Sequence, residues 1–155
     1  MLVANVAALR ASLSKGARLI GLDPGAKTIG VALSDVTLTI ASPYGALKRG
    51  KLAANAAEIA AIAAREGAGG IVVGLPLSMD GTAGPAAQAA RDWATALAAA
   101  LGLPVALWDE RLSSAAVNRA LIGEADMTRA RRAAVVDKAA AAWMLQSALD
   151  ATRPG

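Results

Sequence analysis

The chain has 155 residues, 55% of them hydrophobic and 3% aromatic, with neither cysteine nor histidine. That length suits one compact domain. The missing side chains exclude disulfides, thiolate catalysis, Ser-His-Asp triads and histidine- or cysteine-ligated zinc. A formal charge of +4 permits an anionic partner without demonstrating one.

Residues 1–16 read as an extension containing a short helix, ahead of a domain over residues 17–152. Arg18 to Asp23 reads as a buried strand stopped by Pro24-Gly25, and Ile29 to Ser34 returns as its hairpin partner. A third extended segment falls near Leu38 to Leu47, with Pro43 marking an edge or irregular position. The period then changes. Leu52 to Glu66 reads as a helix ended by Gly67 and the pair Gly69-Gly70, and Ile71 to Leu75 as a short apolar strand. Pro76 to Gly84 is rich in breakers, and the substrate-loop and plain-connection readings of it weigh about equally. Pro85 to Leu101 reads as a helix, Val105 to Trp108 as a buried strand, and Ser113–Ile122 and Ala133–Leu149 as helices.

Three antiparallel strands followed by two parallel strands, with helices on both faces, make an α/β fold. This is the order of a ribonuclease-H-like mixed sheet. No segment reads as a signal peptide or a membrane span, which gives the expectation of a cytoplasmic protein with no membrane partner.

Three acids stand where apolar elements end or begin. Asp23 closes the first strand, where a carboxylate is costly unless paired, hydrogen-bonded or bound to a cation. Its plainer reading is a turn cap. Asp109-Glu110-Arg111 closes the last strand, and alternation lets only one of the two acids face a given side; the residues alone leave that choice open. Asp137 stands at the start of the last helix, with Ala140, Ala141 and Met144 on its face. Its plainer reading is a first-turn aspartate favoured by the helix dipole. Taken together, clustered carboxylates repel and call for a multivalent cation. Oxygen-only ligands favour magnesium or manganese, and such an ion activates water at a phosphate without any histidine.

Two basic clusters, Lys48-Arg49-Lys51 and Arg129-Arg131-Arg132, lack interleaved aromatics and suit phosphates better than bases. The turn from Gly21 to Thr28 lacks the adjacent Gly-Lys-Ser/Thr of a phosphate loop, because Ala26 separates Gly25 from Lys27.

The stretch Leu22-Asp-Pro-Gly-Ala-Lys-Thr-Ile-Gly-Val-Ala-Leu-Ser-Asp35 resembles the opening motif of the YqgF/RuvX family. This family comprises Holliday-junction-resolvase-like proteins, also described as pre-16S ribosomal RNA nucleases. Val73-Gly-Leu-Pro-Leu-Ser-Met-Asp-Gly-Thr82, Trp108-Asp-Glu-Arg-Leu-Ser-Ser114 and Val136-Asp-Lys-Ala-Ala-Ala141 agree in the family's order. The resemblance implies a metal-dependent nuclease with a catalytic and metal-binding triad of Asp23, Glu110 and Asp137, and so prefers Glu110 to Asp109. It also implies Mg2+ or Mn2+ and phosphate contacts at Lys27, Arg111, Arg129, Arg131 and Arg132. The implied substrate is the 5′ end of precursor 16S ribosomal RNA. Branched DNA, or a non-catalytic nucleic-acid-binding or regulatory role, is the alternative, and the chain is expected as a monomer or homodimer. Two positions depart from the family pattern, Ser78 in place of asparagine and Thr28 in place of a basic residue. Both touch substrate contacts rather than the acids.

Overall fold

The computed structural model describes residues 1–75, 84–109 and 129–154, with side chains described from Lys138 onward in the last segment. In chain order it forms α1 (Val6–Ser12), β1 (Arg18–Pro24), β2 (Thr28–Ser34), β3 (Ala41–Lys48), α2 (Leu52–Glu66), β4 (Ala68–Leu75), α3 (Pro85–Leu101), β5 (Val105–Asp109) and α4 (Arg129–Ala151). The five strands lie in the order β3-β2-β1-β4-β5. β1, β2 and β3 pair antiparallel, while β4 joins β1 and β5 joins β4 in parallel. This is the mixed ribonuclease-H-like sheet that the element order predicts. The expected helix Ser113–Ile122 and the loop 76–83 lie outside the described residues.

Alternation along the strands sorts the core into two layers. Ile20, Leu22, Ile29, Val31, Ile71, Val73 and Val105 pack on α2 and α3 through Ile59, Ile62, Ala94 and Leu97. Leu19, Ala32, Val72 and Ala106 pack on α1 and α4 through Val6, Leu9, Met144, Leu145 and Leu149. β1 is thus covered on both faces, which is why its run from Leu19 to Leu22 is apolar without alternation.

The edge strand carries the irregularity that Pro43 announces. Ala32 is level with Pro43 and Val31 with Gly45, so the register shifts there. A proline cannot donate to the ladder, and a bulge at the edge accommodates it.

Two boundaries differ from expectation for physical reasons. α2 ends at Gly67 alone, in the left-handed region at φ 71°, where glycine carries no Cβ penalty. The pair Gly69-Gly70 belongs to β4, because α1 docks over it. A Cβ on Gly70 would stand 2.7 Å from Leu9 Cδ1, and one on Gly69 would stand 3.1 Å from the Ala17 Cβ. The other difference is in α4, which begins at Arg129 rather than Ala133. Asp137 therefore lies beyond the second turn, and the helix-dipole reading of it does not apply.

Residues 1–16 are tied to this frame at three points. Val3 N–H donates to Val105 O at 2.8 Å and Val105 N–H to Met1 O at 2.9 Å, extending the sheet beside β5. Val6 and Leu9 are buried in the α1/α4 layer. Arg10 Nη1 donates to Leu149 O at 3.1 Å near the end of α4. Leu9→Ala is therefore expected to cost roughly 2–4 kcal/mol, the cost of a core leucine deletion, read as a lower midpoint in urea. A change below about 1 kcal/mol would place Leu9 outside the core.

Candidate active site

Asp23 is the one buried carboxylate among the described residues, at 7% exposure. It shares the parity of Leu19 and Gly21, so it stands on the face covered by α4. Register gives it a bare setting. Gly30 is its partner on β2, and Ala46 lies beyond Gly30 on β3. On the other side Leu22 is level with Val73, so Gly74 follows alongside Asp23, and Gly74 is level with Trp108 of β5. The row on that face thus reads Ala46, Gly30, Asp23, Gly74, Trp108. Nothing larger than a hydrogen flanks the carboxylate on the adjoining strands, and glycine inside a strand marks close approach by a ligand or another backbone.

The same row ends the parallel strands. Carboxyl ends of parallel strands open onto the ligand crevice of α/β sheets. Here β1 delivers Asp23 and β5 delivers Asp109. Leu75, level with Asp109, packs on Ala87 and Ala90 of α3 together with Leu107. Asp109 has the parity of Leu107 and so takes the α3 face, opposite Asp23. Glu110 and Arg111 lie outside the described residues.

α4 is pressed against β1 where glycine permits it. A Cβ on Gly21 would stand 2.8 Å from the Leu145 Cβ. The next residue, Gln146, accepts at Oε1 from Ala41 N–H at 2.8 Å and donates from Nε2 to Thr39 O at 2.9 Å, beside the far end of β2. The helix therefore runs opposite to β1, and its earlier turns lie toward the Asp23 end. Position 137 is two turns before Leu145, about 12 Å along the axis. The fold so brings Asp23 and the backbone of position 137 to one end of the sheet. Arg129, Arg131 and Arg132 are placed by backbone only, in the first turn of α4.

Lys27 is exposed in the β1–β2 turn, which closes through Gly25 N–H donating to Thr28 O at 2.8 Å. The glycine row beside Asp23 belongs to the candidate site, and its signal in the sequence is Gly30 and Gly74 inside otherwise apolar strands.

Asp35, the last residue of the opening motif, stands at the other end of the hairpin and closes a loop. Its carboxylate accepts from Thr37 Oγ1 at 2.5 Å and from the N–H groups of Thr39 at 2.8 Å and Ile40 at 3.1 Å, where Leu38 adopts φ 57°. These bonds, that of Thr37 foremost, hold its pKa down at about 2. A depressed carboxylate stabilises above its unfolded pKa, and that contribution is lost as pH falls through the folded value. A carbon-detected NMR titration is expected to show the Asp35 carboxyl midpoint near 2; a midpoint near the ordinary aspartate value would contradict this loop.

The sheet order, the two helical layers and the acid at the end of β1 define an α/β protein of the ribonuclease-H-like class. Its fold matches that of Thermus thermophilus RuvC in complex with Holliday junction substrate, with TM-score 0.53 at 17% identity, over 87% of this chain and 94% of that one. The chain belongs to the RuvX family, whose model, described as Holliday junction resolvase, matches residues 17–151. A relative from Gluconacetobacter diazotrophicus is 68% identical over 148 residues, 96% of each chain. One from Acidiphilium cryptum is 66% identical over 150 residues, 97% of this chain and 94% of its own. One from Phenylobacterium zucineum is 51% identical over 154 residues, 99% of each. All three carry the name "Putative pre-16S rRNA nuclease". Among the described residues no helix is long and apolar enough to cross a membrane.

Proposed function

We propose that this chain is a divalent-metal-dependent nuclease that hydrolyses a phosphodiester at the 5′ end of precursor 16S ribosomal RNA in the cytoplasm. Asp23, Glu110 and Asp137 are its acidic set. The observation that carries the reading is Asp23 itself, a buried carboxylate on a glycine-flanked row at the open end of the parallel strands. The substrate follows from the names of the relatives.

The donor chemistry fits a hard cation. Without histidine or cysteine, the side chains that can bind a metal here are oxygen donors, which suit Mg2+ or Mn2+. When bound, such an ion supplies activated water and offsets charge on the phosphoryl oxygens. Asp23 would hold it from β1, Asp137 from α4 and Glu110 from the end of β5. Asp109 lies on the face away from Asp23, which favours Glu110 as the acid of that pair. The glycines beside Asp23 bring no side chain of the adjoining strands against it. Lys27, Arg111, Arg129, Arg131 and Arg132 would hold the flanking phosphates by charge.

The family description favours a second reading, cleavage of branched DNA, which calls for a symmetric homodimer making paired cuts. One assay separates the two. Precursor 16S ribosomal RNA, single-stranded RNA and four-way DNA junctions are incubated with the chain in magnesium, manganese or chelator, and its oligomeric state is measured in parallel. Metal-dependent cleavage of the RNA by a monomer supports the first reading, and paired cuts in the junction by a dimer support the second. No cleavage of any substrate with any metal would overturn both.

A further inference from the structure

We propose that the β3–α2 loop and the β1–β2 turn form a rigid basic rim that holds the phosphodiester backbone of a nucleic acid strand beside Asp23. Lys27, Lys48 and Lys51 are the contacting cations, and Arg49 is the anchor. The rim rests on the nuclease reading for the kind of polymer it takes, but not for its geometry.

The rim's position comes from register. Thr28 is level with Lys48, and Ile29 with Leu47. Ile29 and Leu47 both pack into the α2/α3 layer, so Lys48 takes the other face, the face of Asp23. Two strand spacings, about 10 Å, separate the backbone of Lys48 from β1. The row positions between them, Gly30 and Ala46, carry no bulky side chain. Lys27, Lys48 and Lys51 are all exposed. The ion pairs among the described residues join Arg18 and Arg65 to Glu66 and Arg153 to Asp150, so none of these three lysines is neutralised by one. α2 has Lys51 at its N-cap, with no side-chain cap bond and no acid in its first turn, and its first N–H groups add to the same positive field.

The rim's rigidity separates it from a solubility charge. Arg49 is half-buried; its Nη1 donates to Gly25 O at 2.7 Å and its guanidinium stands 5.5 Å from the Trp93 ring centre. Its backbone N–H donates to Lys27 O at 2.9 Å. Asn55 is 1% exposed. It accepts from Gly50 N–H at 2.9 Å and donates to Lys48 O at 3.0 Å and Glu58 Oε1 at 3.0 Å. A buried, fully bonded asparagine and a stacked arginine fix the backbone of a loop whose outward side chains are lysines. Charge for solubility needs no fixed backbone; phosphates at set positions do, because preorganised cations lose less entropy on binding. Arg49 is committed to this frame and is not counted among the contacts.

The test measures binding without turnover, on the Asp23→Asn background, by anisotropy of a labelled single-stranded RNA oligonucleotide between roughly 50 and 200 mM salt. The Lys27→Gln/Lys48→Gln/Lys51→Gln chain is expected to flatten the slope of log affinity against log salt by about 2, near 0.7 for each lost contact on a single strand. Lys15→Gln, in the α1–β1 connection, should leave the slope unchanged. Arg49→Lys keeps the charge but loses the Trp93 stack and the guanidinium bond to Gly25 O, so affinity should fall several-fold with little change of slope. An unchanged slope and affinity in the triple variant, with its melting temperature unmoved, would overturn the rim. Cleavage by the unmodified chain is scored separately. If it is absent while the triple variant loses slope, the nuclease reading fails and the rim stands.

Discussion

Asp23→Asn is expected to slow metal-dependent cleavage by roughly 10²–10³-fold or more, the scale of losing one preorganised electrostatic contact in a site, while the chain stays folded. The exchange is nearly isosteric and keeps one side-chain oxygen, so packing against the glycine row is preserved. What it removes is a negative charge at the one buried carboxylate among the described residues. If that charge serves to hold a cation near other acids, removing it relieves repulsion and leaves the melting temperature equal or higher without metal. Rate and stability read together separate a site residue from a structural one. A turn-capping aspartate would exchange for asparagine with little change of stability, because either side-chain oxygen caps, and would leave the rate alone. Magnesium gives a further readout, because a ligand that binds only the folded state raises the melting temperature. Saturating Mg2+ should raise it in the unmodified chain and not in the variant. Full activity in the Asn variant would remove Asp23 from the triad.

Gly21→Val is the second change with a large expected effect, and it acts through geometry. The Cβ it introduces would meet the Leu145 Cβ at 2.8 Å, a separation that neither side chain relieves by rotation. The γ carbons of valine add to the clash in a layer where Leu145, Met144 and Leu149 are fully buried. Overpacking of this kind costs roughly 3 kcal/mol or more, about 6–12 °C in melting temperature for a chain of this size. The alternative to unfolding is that α4 moves outward. That movement carries position 137 away from Asp23, and misplacement by about 1 Å can cost 10²-fold in rate. Gly21→Ala is the graded control, with a smaller loss of both stability and rate. If Gly21→Val melted like the unmodified chain and cut at the same rate, close seating of α4 on β1 would be wrong.

These two changes mark the division between what was legible in the sequence and what was not. Local patterns determined most of the elements. The apolar run before Pro24-Gly25 specified β1, the change of period specified α2 and α3 at their observed bounds, and Pro43 specified an irregular edge strand. The order of those elements was enough for the sheet topology, because connection rules leave few alternatives. The acid at the end of β1 was visible for the same local reason, an ionisable group closing a buried run.

Sidedness and close approach were decided by tertiary structure alone. Parity within β5 places Asp109 opposite Asp23 only once Leu107 and Leu75 are seen packed on α3. Gly69-Gly70 read as a helix stop, yet they are strand residues kept bare so that Leu9 and Leu13 of the N-terminal segment can lie over them. Asp137 read as a first-turn residue because nothing in the Arg129–Arg132 run distinguishes a loop from a helix start. Arg49 read as one more cation in a cluster, until Gly25 and Trp93, distant in sequence, were found on either side of it. In each case the deciding contact joins residues far apart along the chain. Propensity and periodicity act within a few residues, whereas a missing side chain means close approach only when the group that approaches is known.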